Sequence, residues 1–423
     1  EHQFNDAWKL SQNARYTHVD SLYRATVGNG RRGAPLTDFN TLIDGRSLQR
    51  RAVQGVGDSD ALTIDTRVEG TFGSGAAVHT LVAGFDWQES DWTFLRHAAQ
   101  VSPAAIAIDV YDPIHTHYDF APTLLPQMST RETDTQAGIY LQDQIALDRW
   151  RFTLGGRYDK TRIDSLNRLN GQRQDTRDEA FTGRAGVSYL FDNGIAPYLS
   201  YAESFQPTAG TKREGGSFKP VTGKQWEAGV KYEPARIDGM ITLSAYELTQ
   251  KNVLTADPRN AADESFQVQT GEVRVRGIEL EGRITPQPGF SVIGALTRMS
   301  SEVVRNNDGY TGNRMVRVPD WMGSLWMDYT IQGGPLRGLG VGAGARYVGE
   351  TRGDLANYLH IPSYTLYDAA IRYDVGRVGN MNLRLSLNAS NLADKRYVAT
   401  CTAATSCYYG TGRTVMANAR LSW

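Results

Sequence analysis

The chain closes on "CTAATSCYYGTGRTVMANARLSW", residues 401–423. Its last ten residues alternate without a break. Val415, Ala417, Ala419, Leu421 and Trp423 fall on one side; Thr414, Met416, Asn418, Arg420 and Ser422 fall on the other. Period two in these residue types marks a strand half buried in something apolar. The pattern returns upstream. "QAGIYLQDQIAL" sets Ala137, Ile139, Leu141 and Ile145 against Gln136, Tyr140, Gln142 and Gln144. "MNLRLSLNAS" sets Met381, Leu383, Leu385, Leu387 and Ala389 against Asn382, Arg384, Ser386, Asn388 and Ser390.

What the strands are buried in follows from the bulk composition. The 423 residues are 40% hydrophobic and 22% charged, with a formal net charge of -1, which gives no basic footprint for nucleic acid. No run approaches the 18 apolar residues of a membrane helix. A membrane β-barrel escapes that test, because its apolar surface occupies alternate positions only. The alternating runs have the length a tilted strand needs to cross a bilayer. Short links such as "FGSGAA", "ALDRW", "FDNGIAP" and "QGGPLRG" alternate with longer polar segments near 28–46, 98–132, 165–177, 206–221, 253–267, 305–315, 351–361 and 395–410.

Trp150, Tyr158, Phe181, Tyr189, Phe191, Trp226, Tyr232, Tyr373 and Trp423 stand near strand ends on the apolar side, as interfacial girdles require. A soluble sandwich or propeller would show shorter strands and fixed-length repeats. The expected fold is therefore all-β, a transmembrane antiparallel β-barrel with about sixteen strands visible here. In "EVRVRGIELEGRI", Val273 and Val275 are out of step with Ile278, Leu280 and Ile284, so a β-bulge is expected at Gly277. The start, "EHQFNDAWKL", has no signal-peptide character. Either processing removed one, or these residues are the later part of a longer protein.

Catalytic signatures are missing: there is no G-x-S-x-G, no H-E-x-x-H, and "GSFKPVTGKQ" fails the phosphate-loop spacing. Arg151, Arg157, Arg184, Glu227, Lys231 and Arg384 read as wall charges that pair across strands rather than as acids and bases. Cys401 and Cys407, the only cysteines, suit a local disulfide in an oxidising compartment.

The ordered series "YLSYAESFQPTAG", "GKQWEAGVKYEP", "RVRGIELEG" and "NASNLADKRYVATC", with the aromatic last strand, resembles the TonB-dependent outer-membrane receptors. Within them it is most similar to the ferrichrome and hydroxamate-siderophore receptors, through "AGIYLQDQIALDRWRFTLGGRYD" and the cysteine pair after "NLADKRYVA". The resemblance implies a barrel of about 22 strands around a globular plug. Residues 1–423 would then be the C-terminal part of that barrel, with the plug, its energy-coupling box and the first strands upstream. It also implies a ferric siderophore as ligand, TonB as energy source, the Gram-negative outer membrane as location, and no cofactor. Lipopolysaccharide is an expected neighbour, and long exposed loops suit phage or bacteriocin attachment.

A siderophore carries its own iron ligands, so its receptor needs aromatic walls and a few hydrogen bonds rather than a metal site. The loop "AIDVYDPIHTHYDFAP" carries Tyr111, Tyr118 and Phe120, and by resemblance occupies the place of an aromatic loop in those receptors. Tyr23 in "SLYRATV" stands near the outer end of the first strand, where they carry two tyrosines; Ala25 stands at the second place. Tyr408 and Tyr409 follow the cysteine loop. Each also reads as an interfacial anchor or loop packing. His115 and His117 have a metal-compatible spacing but no third ligand nearby, and read as exposed loop histidines. The rival functions are a passive porin-like channel and a receptor for another chelate, such as a catecholate, or for cobalamin.

Overall fold

The computed structural model describes residues 1–28, 45–48, 50–99, 107–114, 124–208, 210, 212–257, 259, 266–403 and 406–423. No helix occurs among them. Sixteen long strands run as β1 (Trp8–Gly28), β2 (Arg50–Ser74), β3 (Ala77–Ala99), β4 (Leu124–Leu147), β5 (Trp150–Asn167), β6 (Arg173–Tyr189), β7 (Ile195–Gln206) and β8 (Val221–Tyr232). The order continues with β9 (Asp238–Ala256), β10 (Gln267–Gln287), β11 (Phe290–Arg305), β12 (Trp321–Thr330), β13 (Leu339–Val348), β14 (Tyr364–Val378), β15 (Met381–Ser390) and β16 (Thr414–Ser422). With the short strand His2–Gln3 they form a seventeen-stranded sheet, and every register assigned within it is antiparallel.

The chain divides into two compact units: residues 1–144, 154–183 and 205–221 in the first, and 145–153, 184–204 and 222–423 in the second. In the first unit, β1 and β2 pair from Trp8↔Gly70 to Gly28↔Arg50, and β2 and β3 from Val53↔Ala98 to Ser74↔Ala77. In the second, consecutive hairpins from β8 to β16 build one apolar face. The row Tyr329, Val341, Ile371, Leu387 and Ala417 crosses five strands as direct partners. Those side chains cover one another laterally and leave their outer surface open, which is the arrangement of a sheet solvated by lipid.

The buried side chains invert the usual rule. The largest fully buried ones are Asn391, Thr176, Asp159, Asp257 and Cys401, while many large apolar residues, such as Ile278, Ile371 and Leu421, are exposed. A soluble domain buries Leu and Ile and exposes Asp. Here the polar face carries the internal network. Arg157 bridges Asp86 and Asp159, and Gln136 donates to Asp159 at 2.9 Å. Tyr140 donates to Asp65 at 2.6 Å in the same unit.

Two expectations are corrected. There is no bulge at Gly277: it pairs in register with Tyr246 on one side and Met299 on the other, and the irregularities of β10 lie at Glu272/Val273 and Ile284/Gln287 against β11 and around Gly271 against β9. The apolar pattern changes face because the strand leaves the apolar band. Outside it, the outward positions become Arg276, ion-paired to Glu247, while Val273 and Val275 turn inward. Gly277 makes room instead, since a Cβ there would stand 2.6 Å from the Tyr246 ring. Nor is 165–177 a long loop. β5 runs to Asn167 and β6 starts at Arg173, with Gly171 in the left-handed region between them. Its charges form cross-strand pairs, Arg162–Asp175 at 2.9 Å and Arg173–Asp164 at 2.5 Å.

Candidate ligand-binding wall

In the first unit the outward row Ala14, Ile64 and Trp87 gives way within four residues to His18, Asp60 and Asp91. Apolar band becomes charged belt at that row, with Tyr16 and Trp87 at the border. The strands do not stop there. β1 continues ten residues to Gly28, roughly 30 Å at 3.3 Å per residue. Above the belt the inner face presents successive rows: Ser21, Gly57 and Phe94, then Tyr23, Gly55 and Arg96, then Ala25, Val53 and Ala98.

The two glycines shape the wall. The Tyr23 ring lies over Gly55, where an added Cβ would meet its Cε1 at 2.0 Å. It stacks with Phe94, the centroids 6.3 Å apart and the planes 14° from parallel. Tyr23 keeps 42% of its surface exposed, so the aromatic plane is supported from behind and open in front. Ser21 donates its hydroxyl to the Gly57 carbonyl at 3.3 Å. Two residues before Phe94 on the same face stands Trp92, beside the Asp134 carboxyl. Burial, and then the neighbouring Glu132, hold that carboxyl above the usual carboxylate range.

The other aromatics are placed differently. Tyr111 sits on an exposed turn secured from below. The strand Ser47–Leu48 pairs with Ile108–Asp109, and Arg46 grips Asp109 at 2.6 Å while lying 5.5 Å from the Tyr111 ring centroid. Asp109 also accepts the backbone N–H groups of Tyr111 at 2.9 Å and Asp112 at 3.2 Å. Those N–H groups, then Arg46, hold its carboxyl below the usual range. Tyr118, Phe120, His115 and His117 lie outside the described residues.

Tyr408 and Tyr409 belong to the second unit. They stand on the strand Ser406–Tyr409, paired with Val398–Ala403 and closed by the disulfide Cys401–Cys407. They are 58% and 81% exposed. The base of that loop is fixed by Asn391, whose side chain donates to the Lys395 and Thr411 carbonyls at 2.9 and 3.1 Å and accepts the Lys395 N–H at 2.9 Å.

Among the described residues, no two of the sequence candidates share a ring contact. Tyr23 instead pairs with Phe94, which the sequence reading passed over. The signal was legible: in "FDWQESDWTFLRHAA", Trp92, Phe94 and Arg96 continue the inward parity of Asp86 and Gln88.

The wall thus combines an open aromatic plane, hydroxyls and an arginine on a polar inner face, at the outer end of strands that carry an apolar band. The family profile described as "TonB dependent receptor-like, beta-barrel" matches residues 1–392. The chain is 36% identical over 435 residues to the ferrichrome outer membrane transporter/phage receptor of Escherichia coli K12, with 99% of this chain and 57% of that protein covered. It is 33% identical over 425 residues to the ferrioxamine B receptor of Salmonella typhimurium LT2, covering 100% and 57%. The crystal structure of the siderophore receptor PiuA from Acinetobacter baumannii matches with a TM-score of 0.84 at 22% identity, covering 100% of this chain and 63% of that one; this likeness shows the fold alone. The chain therefore spans somewhat over half the length of these relatives. The match of the β-barrel profile along nearly the whole chain is decisive: this protein belongs to the TonB-dependent outer-membrane receptors, within their β-barrel.

Proposed function

We propose that the chain forms most of the barrel wall of a receptor that takes up a ferric siderophore of the hydroxamate class, ferrichrome-like, across the outer membrane with energy from TonB. The observation that carries this reading is the Tyr23–Phe94 plane over Gly55, on strands extended beyond the charged belt. A hydroxamate chelate presents apolar peptide or alkyl surface around an oxygen-coordinated iron. A rigid aromatic plane binds the former and hydrogen-bond donors bind the latter. Identity to the ferrichrome and ferrioxamine B receptors supports the same class.

In the complete receptor the polar inner face, with Arg157, Asp86, Asp159, Tyr140 and Asp65, would surround a plug that carries the TonB contact. The outer face would meet lipid and lipopolysaccharide. Exposed loops such as that of Tyr408 and Tyr409 are where a phage or bacteriocin would attach. The chain's work is binding and passage, not catalysis.

Uptake of radiolabelled iron supplied as ferrichrome tests this. The full-length receptor is expressed in cells lacking their own hydroxamate receptors, with and without functional TonB. Uptake that needs TonB supports the reading. Surface-exposed receptor with no ferrichrome uptake moves the substrate to another chelate or to cobalamin, and uptake without TonB points to a passive channel.

A further inference from the structure

Arg96 differs from three other arginines of its unit. Arg67, Arg157 and Arg162 each bond carboxylates. Arg96 has no carboxylate within ion-pair distance among the described residues, and its Nε is buried without a hydrogen-bond partner. A buried donor left unpaired is costly, so it calls for an explanation.

Its position offers one. Arg96 pairs with Gly55 on one side, and Gly55 pairs with Tyr23 on the other. The Tyr23 ring fills the space that the missing Gly55 side chain leaves, so it lies over the strand next to Arg96, with the outer two backbones roughly 10 Å apart at 4.8 Å per strand spacing. Phe94, two residues before Arg96 on the same face, closes the lower side. A compact chelate laid on the Tyr23 ring would bring its iron-bound oxygens toward Arg96.

We infer that Arg96 is the charge-reading residue of the ligand site: its guanidinium takes the negatively polarised oxygens of a ferric trihydroxamate held against Tyr23 and Phe94, and thereby favours neutral or anionic chelates over cationic ones. This rests on the hydroxamate reading above. Two chelate oxygens on one edge of an iron centre suit the guanidinium fork, which a lysine offers only as a point charge. A fixed cation beside the ring repels a ligand bearing its own ammonium.

The test uses the full-length receptor in detergent and one iron core in three charge states. These are ferrioxamine B with its protonated amine, the N-acetyl derivative, which is neutral, and the N-succinyl derivative, which is anionic. Affinities are read from quenching of tryptophan fluorescence. The wild type is expected to bind the anionic form about tenfold more tightly than the cationic form, for a difference of two charge units partly screened by water. R96Q should bind all three within about twofold of one another, with an unchanged melting temperature. R96K should keep the charge ranking but lose about tenfold on every form, because the forked hydrogen bonds go.

Parallel loss on all three chelates in R96Q, with a lowered melting temperature, would make Arg96 a structural arginine and overturn the inference. So would R96Q affinities equal to the wild type's. No binding of any form by a wild type that still binds ferrichrome would overturn this inference alone, whereas no binding of ferrichrome either would remove the hydroxamate reading itself.

Discussion

The first three long strands have 21, 25 and 23 residues, whereas β12, β13, β15 and β16 have 10, 10, 10 and 9. The short set is little more than the apolar band, so its outer surface is made of loops. The long set continues past its band, so its outer surface is a hydrogen-bonded ladder. Aromatic residues borne by the two sets meet different constraints. Tyr23 is stacked on Phe94 with a glycine behind it, whereas Tyr408 and Tyr409 project from a short disulfide-closed hairpin. A plane fixed in advance loses little side-chain entropy when a ligand arrives; a projecting ring loses more. Affinity should therefore depend on the ladder, and the loops should set access.

The sharpest way to break that contrast is alanine substitution on each side. Tyr23→Ala should weaken ferrichrome binding about tenfold to a hundredfold, through loss of a large supported aromatic contact. Tyr408→Ala and Tyr409→Ala should change it by about threefold or less. Titration of the purified full-length receptor reads both, and equal losses would end the distinction. Gly55→Ala sharpens it without removing any ligand-facing atom. The new Cβ must push the Tyr23 ring off its stack, so affinity should fall about tenfold while the melting temperature moves little.

Stability predictions probe the loop side. Asn391→Ala leaves the Lys395 N–H and two carbonyls without their side-chain partner, and should destabilise the β15–β16 connection by about 1–3 kcal/mol. Limited proteolysis between 392 and 413 would report it, with Tyr23-dependent binding preserved. Removing the disulfide with Cys401→Ser and Cys407→Ser should cost about 2 kcal/mol in the loop-closure account, read as a lower melting temperature.

The smallest effect concerns the charged extension of β5 and β6. Arg162, then Arg177, hold the Asp175 carboxyl down to about 2. A depressed carboxylate contributes stability at pH above its unfolded value and loses it as pH falls through the folded one. Asp175→Asn should therefore lower stability slightly at neutral pH, with wild type and variant converging near pH 2. The pair is exposed, so the difference is small.

Much of this was readable in the chain. Alternation in "TVMANARLSW" and "MNLRLSLNAS" set strand, face and membrane side, because a side-chain period of two leaves little freedom once one face must be apolar. The cysteine pairing followed from proximity. Gly277 misled, since a switch of apolar face along a strand has two causes, a bulge or an exit from the membrane, and parity alone does not separate them. The charges of 165–177 misled likewise: Arg173 and Asp175 look like loop residues until the hairpin brings them opposite Asp164 and Arg162.

By itself the sequence determined the all-β architecture, the polar and apolar faces, the girdles and the family, for these depend on neighbours two residues apart and on ordered motifs. Only the tertiary structure decided that Tyr23 stacks on Phe94, that Gly55 makes room for the Tyr23 ring, and that Arg96, in the same row, has a buried Nε without a partner. Those relations join residues 23, 55 and 96, and the register that aligns three strands is a property of the paired ladder, which no single strand's pattern contains.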